Sequence, residues 1–382
     1  MNLIFLNKKN YKYGLLIIIV ICLIYAVDSY YNETLILEDT RPPIGTKKQK
    51  NRTYEEFLAL AKVDPKHEIG IPWVKLPDLE GFLPNYLKYK EKYMTGVVNQ
   101  GKCASCFSIA VVQMISDRIS LYTGGKIKRD LSVQELLSCW NVRGDQGCTV
   151  GGIPEHAYTY LIKNGISLDS IYPYEQKNTT KVAKCRKDKL DGFRTYIQPD
   201  TVRSLCIDPY RYKEGSKRYN SVIRENILNM KKEILMNGSI VGTILVHENL
   251  NTYDGLSVYT GTDGSKYIGG HALVIYGWSN EGINGDEPGF DKAYWCCRNS
   301  WGHSWPTKSP ASKGYFYIEM GRNVAGIESR ASRAIPVMTN EIKENKIDSL
   351  DEVRYTTYGD YVNDPERENY ITKVGKMRSW FK

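Results

Sequence analysis

Three observations predict an α+β fold, with helices in the first part of the chain and strands in the second. Residues 106–122 carry Phe107, Ile109, Ala110, Val111, Met114, Ile115 and Ile119 at helical spacing. After about residue 236 the pattern changes to short apolar runs of strand character at 240–246, 272–278, 293–297 and 315–319. Length and composition, 382 residues with 42% hydrophobic and 25% charged, allow a substantial core in one large domain or two ordinary ones.

From the N-terminus, Lys8, Lys9 and Lys12 precede an apolar run over 14–27. That is short of the roughly 20 residues a bilayer span needs and suits a signal-peptide core of about 7–15. Residues 1–27 are read as a signal peptide or a retained signal anchor. Either way the rest of the chain is translocated, predicting a secreted, lumenal or lysosome-like protein, or one anchored by a single N-terminal pass. Sequons at Asn32, Asn51, Asn178 and Asn237 agree with export. So do the cysteines: of nine, only Cys22 lies in the apolar run, and the others face a compartment where disulfides persist.

Residues 28–81 are polar, punctuated by proline and free of cysteine, with one weak helical stretch at 54–61. They read as a pro-segment. The main domain spans 82–337 and opens at Leu83-Pro84. Its first helix ends at Gly124-Gly125, and 132–137 and 154–163 are further helices. Residues 338–382 are charged, carry Asp364-Pro365, lack periodicity beyond one short helix, and read as an appended, partly disordered tail. There is no internal repeat. The net charge of +9 would suit an anionic partner, but the basic residues are scattered and no basic stripe interleaves with aromatics. Nucleic acid is therefore not an expected partner.

The chemistry concentrates at three places. Around residue 100 stands Asn99-Gln100-Gly101-Lys102-Cys103-Ala104-Ser105-Cys106-Phe107-Ser108; far downstream come Gly269-Gly270-His271-Ala272 and Asn299-Ser300-Trp301-Gly302. Cys106 opens the first helix, where exposed amides and the helix dipole favour an anion and lower a thiol pKa. A neighbouring imidazolium lowers it further, giving a nucleophile that attacks a carbonyl as a thiolate. Its own N–H and the Gln100 amide are candidate oxyanion donors. His271 precedes a buried strand, and Asn299 could fix its tautomer as aspartate does in a serine triad. Trp301 could shield that bond. Rival readings of Cys103-x-x-Cys106 are a thiol oxidoreductase pair and half of a zinc site. Neither needs Gln100, and no second such pair occurs. His67, His156, His247 and His303 are read as structural or surface histidines. No cofactor and no metal are expected.

These segments resemble the papain/cathepsin cysteine peptidases, whose Cys-Gly-[Ser/Ala]-Cys-[Trp/Tyr] pattern surrounds the nucleophile. The likeness runs from about Leu83 to Pro336. It includes Leu136-Leu137-Ser138-Cys139, Gly147-Cys148, Gly151-Gly152-Ile153-Pro154, Tyr172-Pro173-Tyr174, Gly314-Tyr315-Phe316 and Gly326-Ile327-Glu328-Ser329. It implies a papain-like two-lobe fold, with a helical left domain, a β-barrel-like right domain and the active site between them. It also implies Cys106 as nucleophile, His271 as base and acid, Asn299 as orienter and Gln100 as oxyanion donor. Gly151, Gly152, Ile153, Pro154, Ala272, Trp301 and Arg330 would line the substrate cleft. The resemblance pairs Cys103 with Cys148 and Cys139 with Cys185, and leaves Cys206, Cys296 and Cys297 with several connectivities.

The implied protein is a monomeric endopeptidase, made as a zymogen whose pro-segment lies over the cleft. Its partners would be protein or peptide substrates and cystatin-like inhibitors. A catalytically silent papain-fold binding protein is the rival from another class. The closest likeness is to cathepsin B-like members, but their occluding loop with its paired histidines is missing, which predicts internal cleavage. Ala104 replaces a glycine and Phe107 a tryptophan. Thr149-Val150 lengthens the approach to Gly151-Gly152, 306–313 is an insert, and Ala325 stands where a cysteine is common. Cys106 and His271 are 165 apart, beyond the usual 130–150 or so, and an enlarged segment near 187–220 accounts for that. Arg330 falls at the base of the implied main side-chain pocket, where an arginine would favour an acidic or polar P2 residue by charge complementarity; the alternative is that it points into solvent.

Overall fold

Seventeen consecutive buried residues form helix α1, Cys106–Tyr122. A helix enclosed on every side must neutralise its polar groups. Asp117 accepts from Arg298 Nη2 at 2.8 Å, the Thr95 amide at 2.8 Å and Ser239 Oγ at 3.2 Å. Arg118 donates to Glu233 at 2.8 Å and to the Ser239 and Ala334 carbonyls, each at 3.0 Å. The computed structural model describes residues 71–364 except 80, 82, 141–146, 191, 262–263, 281–291, 307 and 309–312. The signal segment, the helical stretch at 54–61, Asn32, Asn51, His67 and the last residues of the tail lie outside the described residues.

Two further helices pack on α1. Helix α2, Val133–Cys139, is capped by Ser132, whose hydroxyl accepts from the Glu135 amide. Helix α3, Pro154–Asn164, opens on a proline suited to that position. Apolar residues of all three share one core cluster. The Cys139–Cys185 disulfide ties the end of α2 to the loop beyond α3.

Among the described residues eight strands, one of them ahead of α1, form a single sheet. Its strands are β1 Tyr86–Tyr89, β2 Arg203–Ser204, β3 Ile240–His247, β4 Tyr267–Ser279, β5 Tyr294–Arg298, β6 Tyr315–Glu319, β7 Ala331–Arg333 and β8 Arg354–Tyr355. The order is β2-β7-β3-β4-β1-β8, with β5 branching from β4 and β6 pairing with β5. Antiparallel β3 meets β4 over Ile240↔Ile275 to His247↔Tyr267. β5 pairs with β4 over Val274–Ser279 on the opposite edge. The architecture is thus α+β, although β1 precedes α1 and helices also follow strands along the chain, and a second core cluster fills the sheet side.

Three features depart from the sequence reading. Helix α4, Lys217–Asn237, was not anticipated. Its buried face mixes Tyr219, Val222, Ile223, Met230 and Ile234 with Asn226, Asn229 and Glu233, which blurs the apolar period. The described part of the tail, through residue 364, holds more regular structure than one short helix. Helix α5, Asn340–Glu344, buries Ile342, β8 pairs with β1, and helix α6, Tyr358–Val362, sets Tyr361 against Lys88. Burial acts to lower the Lys88 pKa, but Glu91 at 3.1 Å and the surrounding tyrosines outweigh it and hold the ammonium charged. Finally, residues 71–78 of the expected pro-segment are built into the domain: the Val74 amide donates to Ser204 O at 3.1 Å, and Val74 and Leu76 are buried.

Candidate active site

Cys106 occupies the first position of α1, just after Ser105, so its sulfur sits beside the outward-pointing amides of the first turn. The loop before it is held by a disulfide from Cys103 to Cys148 and by the Ala104 amide donating to Cys148 O at 2.8 Å. With Cys103 consumed in that bridge, Cys106 is a reduced, buried thiol. This arrangement removes both the redox-pair and the zinc-site reading of Cys103-x-x-Cys106.

His271 lies on β4, where Ile244 of β3 is its cross-strand partner. Its Nε2 is 2.7 Å from Asn299 Oδ1, which leaves the other ring nitrogen for the sulfur. A hydrogen bond joins the ring to Cys106, and the Ala272 backbone also bonds the sulfur. All three side chains are largely buried, at 9%, 5% and 1% exposure for Cys106, His271 and Asn299. Burial acts to raise the Cys106 pKa, but the charge and hydrogen bond of His271 prevail and hold it below a normal thiol. Burial acts to lower the His271 pKa, and the thiolate and the two hydrogen bonds reverse that. Both shifts move the pair toward thiolate and imidazolium.

Asn299 is placed by its amide, which donates to Gly314 O at 2.8 Å. Gly314 has φ +92° and a Cβ there would fall 2.4 Å from Val97, so no larger residue fits. The Trp301 ring lies 5.1 Å from the His271 ring, tilted by 40°, and covers the histidine on that side. Residues 98–100 pair with 300–302: Gln100 N donates to Ser300 O at 2.8 Å and Gly302 N to Val98 O at 3.2 Å. This pairing carries Gln100 to the same place as Asn299. Its Oε1 accepts from Ser300 Oγ at 2.6 Å, while its Nε2 donates to Cys103 O at 3.0 Å rather than into the cleft.

The expected cleft wall adjoins the thiol. Gly151, at φ +75°, has Ala104 O 3.0 Å from its Cβ position, and a Cβ on Gly152 would fall 2.8 Å from the Phe107 ring. Ile153 and Pro154 follow, both buried. Ala272, beside His271, pairs with Thr243, whose amide donates to Arg330 O at 3.0 Å. Arg330 is therefore two strands from the histidine. Its Nη2 lies 3.4 Å from Glu155 Oε1 of α3, and this carboxylate offsets its charge.

Two groups escaped the sequence reading. Glu155 is one; the Tyr174 hydroxyl is the other. It donates to Gln100 O at 3.0 Å and lies 2.7 Å from Ser105 Oγ, tying the Gln100 loop to the start of α1. Burial pushes the Tyr174 pKa up to about 12, so it remains a donor. Its place in Tyr172-Pro173-Tyr174 was the only available signal. His156 is buried and stacked on Trp140, with ring centres 4.3 Å apart. His247 lies 2.9 Å from Ser265 O and His303 is 3.3 Å from Lys313 O. The structure places none of the three against Cys106.

A sequence profile described as papain family cysteine protease matches residues 83–335. The chain is 30% identical over 260 residues to cathepsin B-like cysteine proteinase 5 of Caenorhabditis elegans, covering 64% of this chain and 70% of that protein. It is 28% identical over 281 residues to a cathepsin B-like cysteine proteinase of Schistosoma japonicum, covering 68% and 75%. Its fold is similar to that of proCathepsin B S9 from Trypanosoma congolense, with a TM-score of 0.53, 23% identity, and coverage of 76% of this chain and 92% of that one.

Proposed function

This chain belongs to the papain family of cysteine proteases, and on that premise we propose that it is an endopeptidase made as a zymogen, with Cys106, His271, Asn299 and Gln100 as its catalytic set. The supporting observation is the seating of His271 between the sulfur of Cys106 and the amide oxygen of Asn299 at 2.7 Å. In this reading the thiolate adds to the substrate carbonyl carbon and the C=O pair moves to oxygen. The Cys106 N–H and the Gln100 amide, turned from the Cys103 carbonyl, hold that oxyanion. Collapse breaks the C–N bond, and the His271 imidazolium gives its proton to the leaving amine. His271 then takes a proton from water, hydroxide adds to the thioester, and the acid product leaves as the thiolate returns.

Peptide chains would lie along Gly151, Gly152, Ile153 and Pro154 on one wall and Ala272 and Trp301 on the other. Arg330 and Glu155 would meet the P2 side chain as a nearly neutral pair, so an acidic P2 preference should be weak and should grow in Glu155→Gln. Cystatin-like inhibitors would occupy the same groove. Passage through the secretory pathway fits the cathepsin B-like relatives and the basic, apolar N-terminus. Asn178 is exposed and open to glycosylation, whereas Ser239 of the Asn237 sequon is buried against Asp117. Among the described residues no helix is long and apolar enough to cross a membrane.

A peptidyl epoxide decides the matter. It should alkylate Cys106 in the wild type and fail in His271→Ala, and a long peptide should be cut internally. Alkylation that survives His271→Ala removes the thiolate–imidazolium reading. Release of dipeptides alone removes the endopeptidase reading.

A further inference from the structure

An extended segment, residues 71–76, borders the sheet beside β2. Trp73 forms one parallel bridge with Ser204, the Ser204 amide donating to Pro72 O at 2.9 Å and the Val74 amide to Ser204 O at 3.1 Å. One residue further on, a side chain takes over from the ladder. Asn229, buried on α4, accepts from the Leu76 amide at 2.9 Å and donates to Val74 O at 2.7 Å and to Leu205 O at 2.9 Å. A carboxamide that pairs with both polar groups of an extended backbone imitates another strand, and it binds without regard to the side chains it holds. Val74 and Leu76 are buried and Lys75 between them is exposed, the alternation of a strand with one face on a core, and Ile71 is buried as well.

This groove is separate from the cleft. From the strap the order runs β2, β7, β3, β4, four ladder steps of roughly 4.8 Å, which puts it on the order of 19 Å from His271. The strap does not cover the thiol, so nothing about catalysis requires its removal. Its loss would expose the backbone edge of β2, leave the Asn229 side chain with only its bond to Leu205 O, and uncover an apolar trough.

We propose that residues 71–76 are a permanent edge strand of the mature peptidase, held in a peptide-binding groove between β2 and the Asn229 amide of α4, so that zymogen processing leaves them in place. The expected pro-segment boundary at 81 then shifts to before residue 71 as far as retention is concerned. A cut in the exposed stretch around Asp78 and Gly81 would leave the strap bound as a separate peptide.

The first arm of the test rests on the peptidase reading. Full-length protein is activated, labelled at Cys106 with a biotinylated epoxide, captured without denaturant, and weighed intact and after denaturation. Residues 71–76 should be present in every labelled molecule, in the chain or as a peptide freed only by denaturant. Labelled enzyme that lacks them overturns the proposal while leaving the peptidase intact. The second arm is independent of catalysis and uses the full-length Cys106→Ala protein with trypsin. Cleavage after Lys75 should be at least about tenfold slower than in a free peptide of the same sequence, and Asn229→Ala should recover about tenfold in rate. Leu76→Ala, which leaves the bonds of Asn229 to Leu205 in place, should also accelerate it. Cleavage as fast as in the free peptide, or unchanged in both variants, overturns the strap as a docked strand.

Discussion

At the cleft the decisive contacts run between side chains. Cys106 meets His271, His271 meets Asn299 at 2.7 Å, and Ser300 meets Gln100 at 2.6 Å. At the two outer edges of the sheet they run between backbones, with residues 71–76 on β2 and β8 on β1. Side-chain chemistry demands a particular residue at each position, because only a thiol, an imidazole and an amide can play these parts. A backbone ladder accepts nearly any residue that fits the pleat. The cleft is thus specific but small, while the edges are permissive and large. Mutations should separate the two: cleft changes should abolish turnover and spare stability, and edge changes should do the reverse.

The widest separation is expected for His271→Ala. Loss of the base leaves a thiol that is buried and no longer pushed toward thiolate, so kcat/KM should fall by roughly 10⁴–10⁶. The denaturation midpoint should hardly move, since the imidazole is held by only two hydrogen bonds. A loss below about a hundredfold would mean that Cys106 does not depend on this ring.

What could be read from the chain follows the same division. Cys106, His271 and Asn299 were legible because rare residue types stood in fixed local company: a glutamine upstream, glycines before the histidine, Ser-Trp-Gly after the asparagine. Helix α1 was legible from its apolar spacing, and strands β3 to β6 from their runs. Helix α4 was not, since Asn226, Asn229 and Glu233 turn inward to bond backbone and guanidinium groups, and polar residues on a buried face defeat the periodicity. The order of the tail was legible only as a short helix, because it is charged overall and single apolar residues such as Ile342 and Val353 do the anchoring. Residues 71–76 are apolar enough to bury Ile71, Val74 and Leu76, but no period in the sequence marks their docking on Ser204 and Asn229. The Arg330–Glu155 contact was invisible because its partners are 175 residues apart.

One pair bridges the two regimes. Arg298 ends β5 next to Asn299, and its guanidinium is fully buried against Asp117 of α1, eleven positions from Cys106 (117 − 106). Asp117→Asn leaves that cation uncompensated, and breaking a buried pair of this kind costs about 3–5 kcal/mol. Urea unfolding should show that loss, with activity per folded molecule reduced as well because Arg298 seats Asn299. A cost under about 1 kcal/mol would show the surrounding carbonyls to be sufficient partners.

Asn299→Ala should have a smaller and more diagnostic effect. The amide contributes one of the bonds that raise the His271 pKa, behind the Cys106 thiolate. Losing a hydrogen bond to a charged ring costs about 1.5–3 kcal/mol, so kcat/KM should drop roughly 10- to 100-fold. The sign of the pH shift follows. The active ion pair exists above the lowered thiol pKa and below the raised imidazole pKa, and it is lost as pH rises through the latter. Weakening the imidazolium brings the alkaline limb to lower pH, and the acid limb, which belongs to the coupled pair, should rise. A profile that only falls in height would make Asn299 a packing residue.

The smallest effect probes an edge alone. Ile342 is fully buried in α5, on the tail and beyond the stretch that matches the family profile. It shares a core cluster with Ile109, Ile115 and other residues of α1. Removing one methyl by Ile342→Val should cost about 0.5–1.5 kcal/mol, the sum of lost transfer energy and a small cavity. Differential scanning calorimetry should register a drop of a few degrees in Tm, and kcat/KM and its pH profile should stay where they are. If the tail were an unattached appendage, the midpoint would not change at all. The same substitution thus measures whether the C-terminal edge is part of the cooperative unit that carries Cys106. Because Ile342 shares a core cluster with the helix that opens on the proposed nucleophile, any loss of activity here would mean that the tail and the cleft are mechanically one.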